Sequence, residues 1–457
     1  MLRNRVRRFL SRLITQPTHF SHPELVAHDE VTPMMTKNEF HQRRRVIMGR
    51  MINYNAEKES LEPLSEMHGK ERMEHVLVLT GASKQRKSGD IDFDFHQYAN
   101  FNYLTGFIEE DAILVMETIP GKPHPQFKTI LFVQPYNEQA QMWTGFRTGP
   151  ADAISLTGVD EARDIGELHE YLAKYRQTRN ARIWGNFLPS DVNNLPLHSA
   201  HLHRTISEAI RNGVEIMPVK RFFNESRVIK SEREIEAIKK AATISSEAML
   251  DTMVASRHNH SERHLQATFE FGCKSRGADK ISFPSVVAGG ERATMLHYES
   301  NNQQIEPGQL VLVDGGAQFG HYTCDLARTW PVDGTFTQAQ RELYNIVLFI
   351  SQSVIATLEK GEKKSLDELY SYALVIMSGK LYELGFFEAF NHLETSQEKQ
   401  KAVFDMTHRL MPHQIGHFIG LDVHDWPTGP VNKVVAFSCI LLLILIISLK
   451  SLSNPDK

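Results

Sequence analysis

Two aspartates and four histidines carry the chemistry that this sequence can do. Asp314 closes an apolar run, Leu310-Val311-Leu312-Val313, and Asp325 closes the next run eleven positions on, with Gly315, Gly316 and Gly320 between them. β-Branched and aromatic runs around clustered glycines predict a β-hairpin, which puts the two carboxylates on facing strands. Carboxylates held that close repel unless a positive group lies between them, and a divalent cation is the simplest such group. An ordinary hairpin with two solvated aspartates is the alternative that this stretch leaves open. His413, His417 and His424 crowd into MPHQIGHFIGLDVHDWP, residues 411–427, and His297 sits in the glycine-flanked AGGERATMLHYESN. A lone histidine is ordinarily a packed or a solvated group; four of them in small-residue contexts, with two aspartates, make a stronger case for a reactive centre.

The elements that must position these groups fall into two sets. At 457 residues the chain is long enough for two domains with full cores. Charged residues make up 23% and the net charge is −4, which argues for a globular protein and gives no ground for nucleic-acid binding. The three cysteines, Cys273, Cys324 and Cys439, are far apart, so no disulfide framework or zinc-finger spacing follows and a reducing compartment is the plain reading.

In the first set, Thr36–Tyr54 is expected to be a helix with Thr36 as N-cap and Arg43, Arg44 and Arg45 on its surface. Strands are expected at His75–Thr80, Ala112–Met116, Thr129–Val133 and Ala181–Trp184, and a helix at Ile165–Tyr175, an alternation that argues for an α/β layer. In the second set, Ser231-Glu232-Arg233-Glu234 is a capping-box pattern ahead of a long helix from Ile235 to about Met253. Further helices follow at Glu262–Arg276, Gln338–Lys360 and Leu366–Leu384, around Phe283–Ala288, the His297 segment and the aspartate hairpin.

The paired aspartates, His297 seventeen positions before Asp314, and HQIGHFIGLDVHD together resemble the aminopeptidase P family of Xaa-Pro aminopeptidases, and within it the mitochondrial, intermediate-cleaving type. YLTGFIEEDAILVM and VIKSEREIEAIKKAATIS extend the resemblance from about residue 29 to about residue 430. It implies a mixed α/β (α+β) fold, with a creatinase-type N-terminal α/β domain over 30–225 and a pita-bread metallopeptidase domain over 226–430. Phe101 to Gly106 and Trp143 are the most family-like residues of the first domain, and packing and turn formation are their expected roles. By match, Asp314, Asp325 and His417 would be metal ligands. His297, His413 and His424 would bind substrate and steady the tetrahedral intermediate. The family uses two metal ions, usually manganese, which activate water and polarise the scissile carbonyl. The implied substrates are peptide or protein N-termini with proline second, and the implied assembly is a homodimer.

The chain departs from that pattern. The first of two family glutamate ligands is expected about thirty residues past His417, where Ile440 to Ile447 is an unbroken apolar run. The second would fall beyond Lys457, and the family's usual threonine is replaced by Ala327. The catalytic domain is therefore expected to be C-terminally truncated, and the chain to be a weak enzyme or a catalytically dead variant that binds peptides or dimerises. The stretch 434–449 is free of charge and flanked by Lys433 and Lys450. Within a divergent tail, 431–457, it is either a marginal membrane anchor or a replacement ending with no role of its own. At the other end, Arg3, Arg5, Arg7, Arg8 and Arg12 precede the first acid, Glu24, and Val6, Phe9, Leu10, Leu13 and Ile14 recur at helical spacing. This Arg-rich amphipathic start, acid-free over 1–23, is expected to be a mitochondrial matrix presequence over 1–29, with a basic tail or a membrane-surface helix as the alternative.

Overall fold

Apolar runs too short for helices form the middle of a mixed sheet. In the computed structural model, residues 16–58, 73–123, 125–176, 181–185, 200–361, 365–425 and 437–439 are described. The chain divides into two compact units, Met1–Ser226 and Arg227–Lys457. Residues 1–15 of the basic start, and all of the apolar tail except 437–439, lie outside the described residues. From Gln16 onward the chain packs with the first unit: Gln16 is buried, its amide donates to the carbonyls of Val31 and Gly106 at 3.0 and 2.8 Å, and its Oε1 accepts from the Ile108 N–H.

Six strands make the sheet of the first unit: β1 (Glu74–Thr80), β2 (Ile113–Thr118), β3 (Phe127–Val133), β4 (Glu161–Asp164), β5 (Ala181–Gly185) and β6 (Glu215–Pro218), in spatial order β6-β5-β1-β2-β3-β4. β1 pairs in parallel with β5 and antiparallel with β2, so the sheet is mixed. The helices are α1 (Lys37–Lys58), α2 (Ala99–Thr105), α3 (Glu138–Thr144), α4 (Gly149–Thr157), α5 (Leu168–Ala173) and α6 (Ala200–Arg211). Val76, Val78, Ile113, Val115, Ile130 and Phe132 pack with Leu168, Leu172, Leu202 and Ile206 as the core. Each such side chain contributes on the order of 2 kcal/mol by leaving water.

α1 begins where the sequence places it, with Thr36 Oγ1 accepting from the Glu39 N–H. Arg43 and Arg44, expected on its surface, are buried, while Arg45 is exposed. The reason lies at the ends of other helices, whose last carbonyls have no partner within the helix. Arg44 donates to the carbonyls of Leu104 and Gly158, both at 3.1 Å, and Arg43 donates to that of Tyr103. A buried guanidinium thus closes α2 and α4, and burial lowers the Arg44 pKa to about 10 against the opposing pull of Asp160. α2 ends on Gly106 at φ +62, where a Cβ would stand 2.6 Å from Phe40 Cζ. Trp143 on α3, expected to pack, is instead 81% exposed.

In the second unit, α7 (Glu232–Ser256) starts on the expected capping box: Ser231 Oγ accepts from the Glu234 N–H, and Glu234 accepts from the Ser231 N–H. α8 (Glu262–Ser275) follows. Beyond them lie β7 (Lys280–Ile281), β8 (Val286–Gly289), β9 (Leu310–Gly315), β10 (Ala317–Phe319), β11 (Tyr322–Thr323) and β12 (Leu326–Pro331). They form two three-stranded antiparallel sheets, β8-β9-β12 and β7-β10-β11. α9 (Gln338–Glu359), α10 (Leu366–Glu383) and α11 (Ser396–Leu410) share a core around Ile350, Val354, Leu369 and Met377. α11 was not expected, although Thr395 and Glu398 form its capping box. β13 (Gly416–Phe418) pairs antiparallel with β14 (Phe437–Cys439), so these three tail residues are extended rather than helical. Among the described residues no helix is long and apolar enough to cross a membrane.

Gly106→Ala combines a strained φ with a clash against Phe40, each costing about 1–3 kcal/mol. The expected outcome is a fall of roughly 5–10 °C in the melting of the first unit, followed by calorimetry; an unchanged transition would show that the Phe40 ring yields freely.

Candidate metal centre

The expected hairpin is there, with a second hairpin folded into its tip. β9 and β12 run antiparallel with Asp314 opposite Ala327 and Gly315 opposite Leu326, and β10 and β11 form the inserted turn. Asp314 ends one arm and Asp325 opens the other. Gly316 makes the crossing possible, because a Cβ there would lie 1.7 Å from the Cys324 carbonyl oxygen, a backbone atom that cannot give way. The tip turns through Gly320 and His321 at φ +55 and +69, and the Asp279 carboxylate accepts from the His321 N–H.

β13 brings His417 to this corner, its Nε2 2.8 Å from Asp325 Oδ2 and its Nδ1 2.8 Å from the Phe418 carbonyl. Both neighbours are acceptors, so each ring nitrogen is offered a place to donate a proton. Burial disfavours the charged ring, but these bonds outweigh it and the His417 pKa is raised. The His424 ring lies 4.4 Å from that of His417 at 73°. Burial and then the neighbouring His417 lower the His424 pKa. Ligand atoms of Asp325, His417 and His424 all lie within 4.8 Å of one another.

Asp314 is buried, and its Oδ1 has no hydrogen-bond partner among the described residues. Burial, and next the Asp325 carboxylate, push its pKa up to about 8. Ala327, its cross-strand neighbour, presents a methyl where a hydroxyl could have donated. A buried, repelled carboxylate with an open oxygen, next to a carboxylate and two imidazoles, fits a divalent cation.

A cavity of about 250 Å³ opens over these groups. Its lining includes the apolar Phe283, Pro284, Val286, Leu296 and Val423 together with His297, Glu299, Asp314, Asp325, His413 and His424. All six side chains singled out in the sequence therefore belong to one locus, five lining the cavity and His417 bonded to Asp325.

The residues that hold the His297 segment were not foreseen. Glu262, fully buried at the start of α8, accepts from the Gly289 N–H, Arg292 Nε, Tyr298 Oη and the Gln303 N–H. Asn301, at φ +43, accepts from the Val287 N–H and donates to the Ser285 carbonyl. A glutamate directly after a helix cap, Ser261, carries no sequence signal of such a role. Cys273 on α8 and Cys324 within the hairpin are buried free thiols whose pKa values burial raises to about 12 and about 11.

This fold and corner define a class, the pita-bread metallopeptidases. Residues 236–437 match metallopeptidase family M24, and residues 40–184 match the aminopeptidase P N-terminal domain. The chain is 37% identical to human Xaa-Pro aminopeptidase 3 over 93% of its length and 79% of the relative's. It is 28% identical to the mitochondrial intermediate cleaving peptidase 55 of Arabidopsis thaliana, over 91% of this chain and 74% of that one. Zinc-substituted aminopeptidase P of Escherichia coli, solved with product, superposes with a TM-score of 0.70 at 25% identity over 87% of this chain and 84% of that one. The chain belongs to the aminopeptidase P family, so its family chemistry is that of a metal-dependent aminopeptidase.

The raised pKa of Asp314 sets a stability trend. Unfolded, the group titrates near 4; folded and without metal, near 8. Between these values the folded state holds the extra proton, so stability falls as pH rises. His417, also raised, has the same sign, and His424 the opposite one. The melting temperature of chelator-treated protein should drop from pH 5 to pH 8, and added divalent metal should raise it more at pH 8 than at pH 5. A metal effect independent of pH would contradict this assignment.

Proposed function

We propose that the chain carries the centre of a manganese-dependent Xaa-Pro aminopeptidase of mitochondria, acting on peptide or protein N-termini with proline second, with the ligand set reduced in this chain. The observation that carries this reading is that Asp314, Asp325 and His424 line one cavity, with His417 bonded to Asp325. Asp314, Asp325 and His417 are the proposed ligands, and His424 stands within reach of the same cation. When bound, the metal supplies a Lewis acid that lowers the pKa of water and polarises a carbonyl. The Phe418 carbonyl accepts from His417 Nδ1, which orients the ring and leaves Nε2 facing Asp325 and the centre. His297, His413 and His424 face the cavity where the substrate's carbonyl would lie, and they donate hydrogen bonds to its oxygen. The apolar part of the cavity lining suits proline, whose ring fixes φ and offers no N–H to satisfy.

The reduction is the second part of the proposal. A carboxylate expected near Ile440–Ile447 has no counterpart there. Affinity for a hard cation falls as carboxylates are lost, so metal binding and turnover in this chain are weak, and peptide binding without turnover is the alternative outcome. The Arg-rich first 23 residues, and the mitochondrial peptidase of Arabidopsis thaliana among the relatives, support import into mitochondria, with the matrix as the proposed compartment. A dimer and a first domain over 30–225 are parts of the same reading, with 434–449 either a marginal anchor or a replacement ending without a role of its own.

The test is metal content and cleavage of a Xaa-Pro peptide by the full chain, with manganese supplied, alongside Asp325→Asn. The expected result is sub-stoichiometric metal and slow turnover, with the variant losing a further tenfold or more in affinity. Stoichiometric metal with full turnover would sink the claim of a reduced set. Metal content unaffected by Asp325→Asn would sink the assignment of the site.

A further inference from the structure

A buried ion cluster outside the ligand set holds the histidine loop. Asp425 is 5% exposed, and its oxygens are taken by Arg227 Nη2 and Lys230 Nζ, each at 2.8 Å. Arg227 Nη2 also reaches Asp422 Oδ2 at 2.6 Å. Both cations immediately precede the α7 N-cap, Ser231, and both aspartates flank His424 in the loop that leaves β13. The loop is closed on itself: the Asp425 N–H donates to the Phe418 carbonyl, and a Cβ on Gly420 would lie 2.4 Å from Asp425 Oδ2.

The same helix start grips the aspartate hairpin. Tyr322 Oη donates to Glu234 Oε1 at 2.9 Å, while the Thr323 N–H and Oγ1 both donate to the Gly420 carbonyl at 2.9 Å. One helix N-terminus therefore ties the strand leading to Asp325 to the loop between His417 and His424. Buried ion pairs add little net stability over apolar packing, because desolvation offsets their attraction; what they fix is geometry, since either partner alone is costly.

We propose that Lys230 and Arg227 are positioning residues of the metal centre: they hold the 418–425 loop so that His424 comes against His417 and both face Asp325. This rests on the proposed metal site, and it predicts the histidine geometry even without metal.

The test compares Lys230→Met, Lys230→Arg and the rim variant Asp422→Asn in the full chain with ¹³C-labelled histidine. In metal-free protein, Lys230→Met should shift the His417 and His424 ring signals and leave that of His75, in the first unit, unmoved. Asp422→Asn should do so to a lesser degree, and Lys230→Arg should restore the parent positions. Titration with cobalt(II) should show affinity about tenfold or more weaker for Lys230→Met, with an altered visible band, and recovery to within about threefold for Lys230→Arg. Unmoved His417 and His424 signals in folded Lys230→Met or Asp422→Asn would overturn the proposal. If Lys230→Met fails to fold, the Asp422→Asn and Lys230→Arg signals decide it. Shifted signals in a parent that binds no cobalt would keep the positioning role and remove the metal reading instead.

Discussion

Two carboxylates that cannot comfortably both be charged stand at the end of one strand and the start of the next, and the surrounding structure follows from keeping them there. Burial leaves little water to screen them, apart from the cavity that both line. The repulsion has three outlets: a proton on Asp314, the positive His417 ring on Asp325, or a cation between them. The first two are visible in the raised pKa values of Asp314 and His417. Both must yield for the third, since a ligating carboxylate or imidazole nitrogen gives up its proton.

The same problem of buried charge recurs elsewhere with other solutions. In the first unit, two guanidinium groups replace the missing partners of helix carbonyls, so charge is satisfied by backbone dipoles. In the second, Lys230, Arg227 and Asp425 satisfy one another at the root of a loop. Glu262 is neutralised in part by Arg292 and otherwise by backbone and phenol donors. Each buried charge joins segments distant in sequence, which apolar contacts, indifferent to orientation, would join less uniquely.

Much of this was legible before any coordinates. The strand runs Leu310–Val313 and Val76–Leu79 and the Ser231 capping box follow from periodicity and turn residues, while the six side chains that come together at one locus are singled out by their clustering, their roles being implied by the family resemblance. What stayed hidden depends on tertiary partners. The side chains of Arg43 and Arg44 sit in a stretch, QRRR, that looks solvated; only the positions of the Leu104 and Gly158 carbonyls draw them inward. Trp143 looks like core by type and is exposed. α11 was missed although Val403, Met406 and Leu410 recur at helical spacing and Thr395 and Glu398 mark its start. β14 lies in a run whose length and composition suit a helix, yet its three described residues pair with β13 because His417's strand offers an open edge.

The thiol of Cys324 adjoins Asp325 in sequence, and burial holds its pKa near 11. At neutral pH almost none of it is thiolate, the form that reacts with electrophiles. Alkylating agents therefore reach this sulfur only when the hairpin opens. Its labelling rate becomes a clock for local opening of the strands that carry the two aspartates, read in the native protein without denaturant. A cation that joins Asp314 to Asp325 would slow that clock, which makes an inert cysteine a reporter of how firmly the centre is closed.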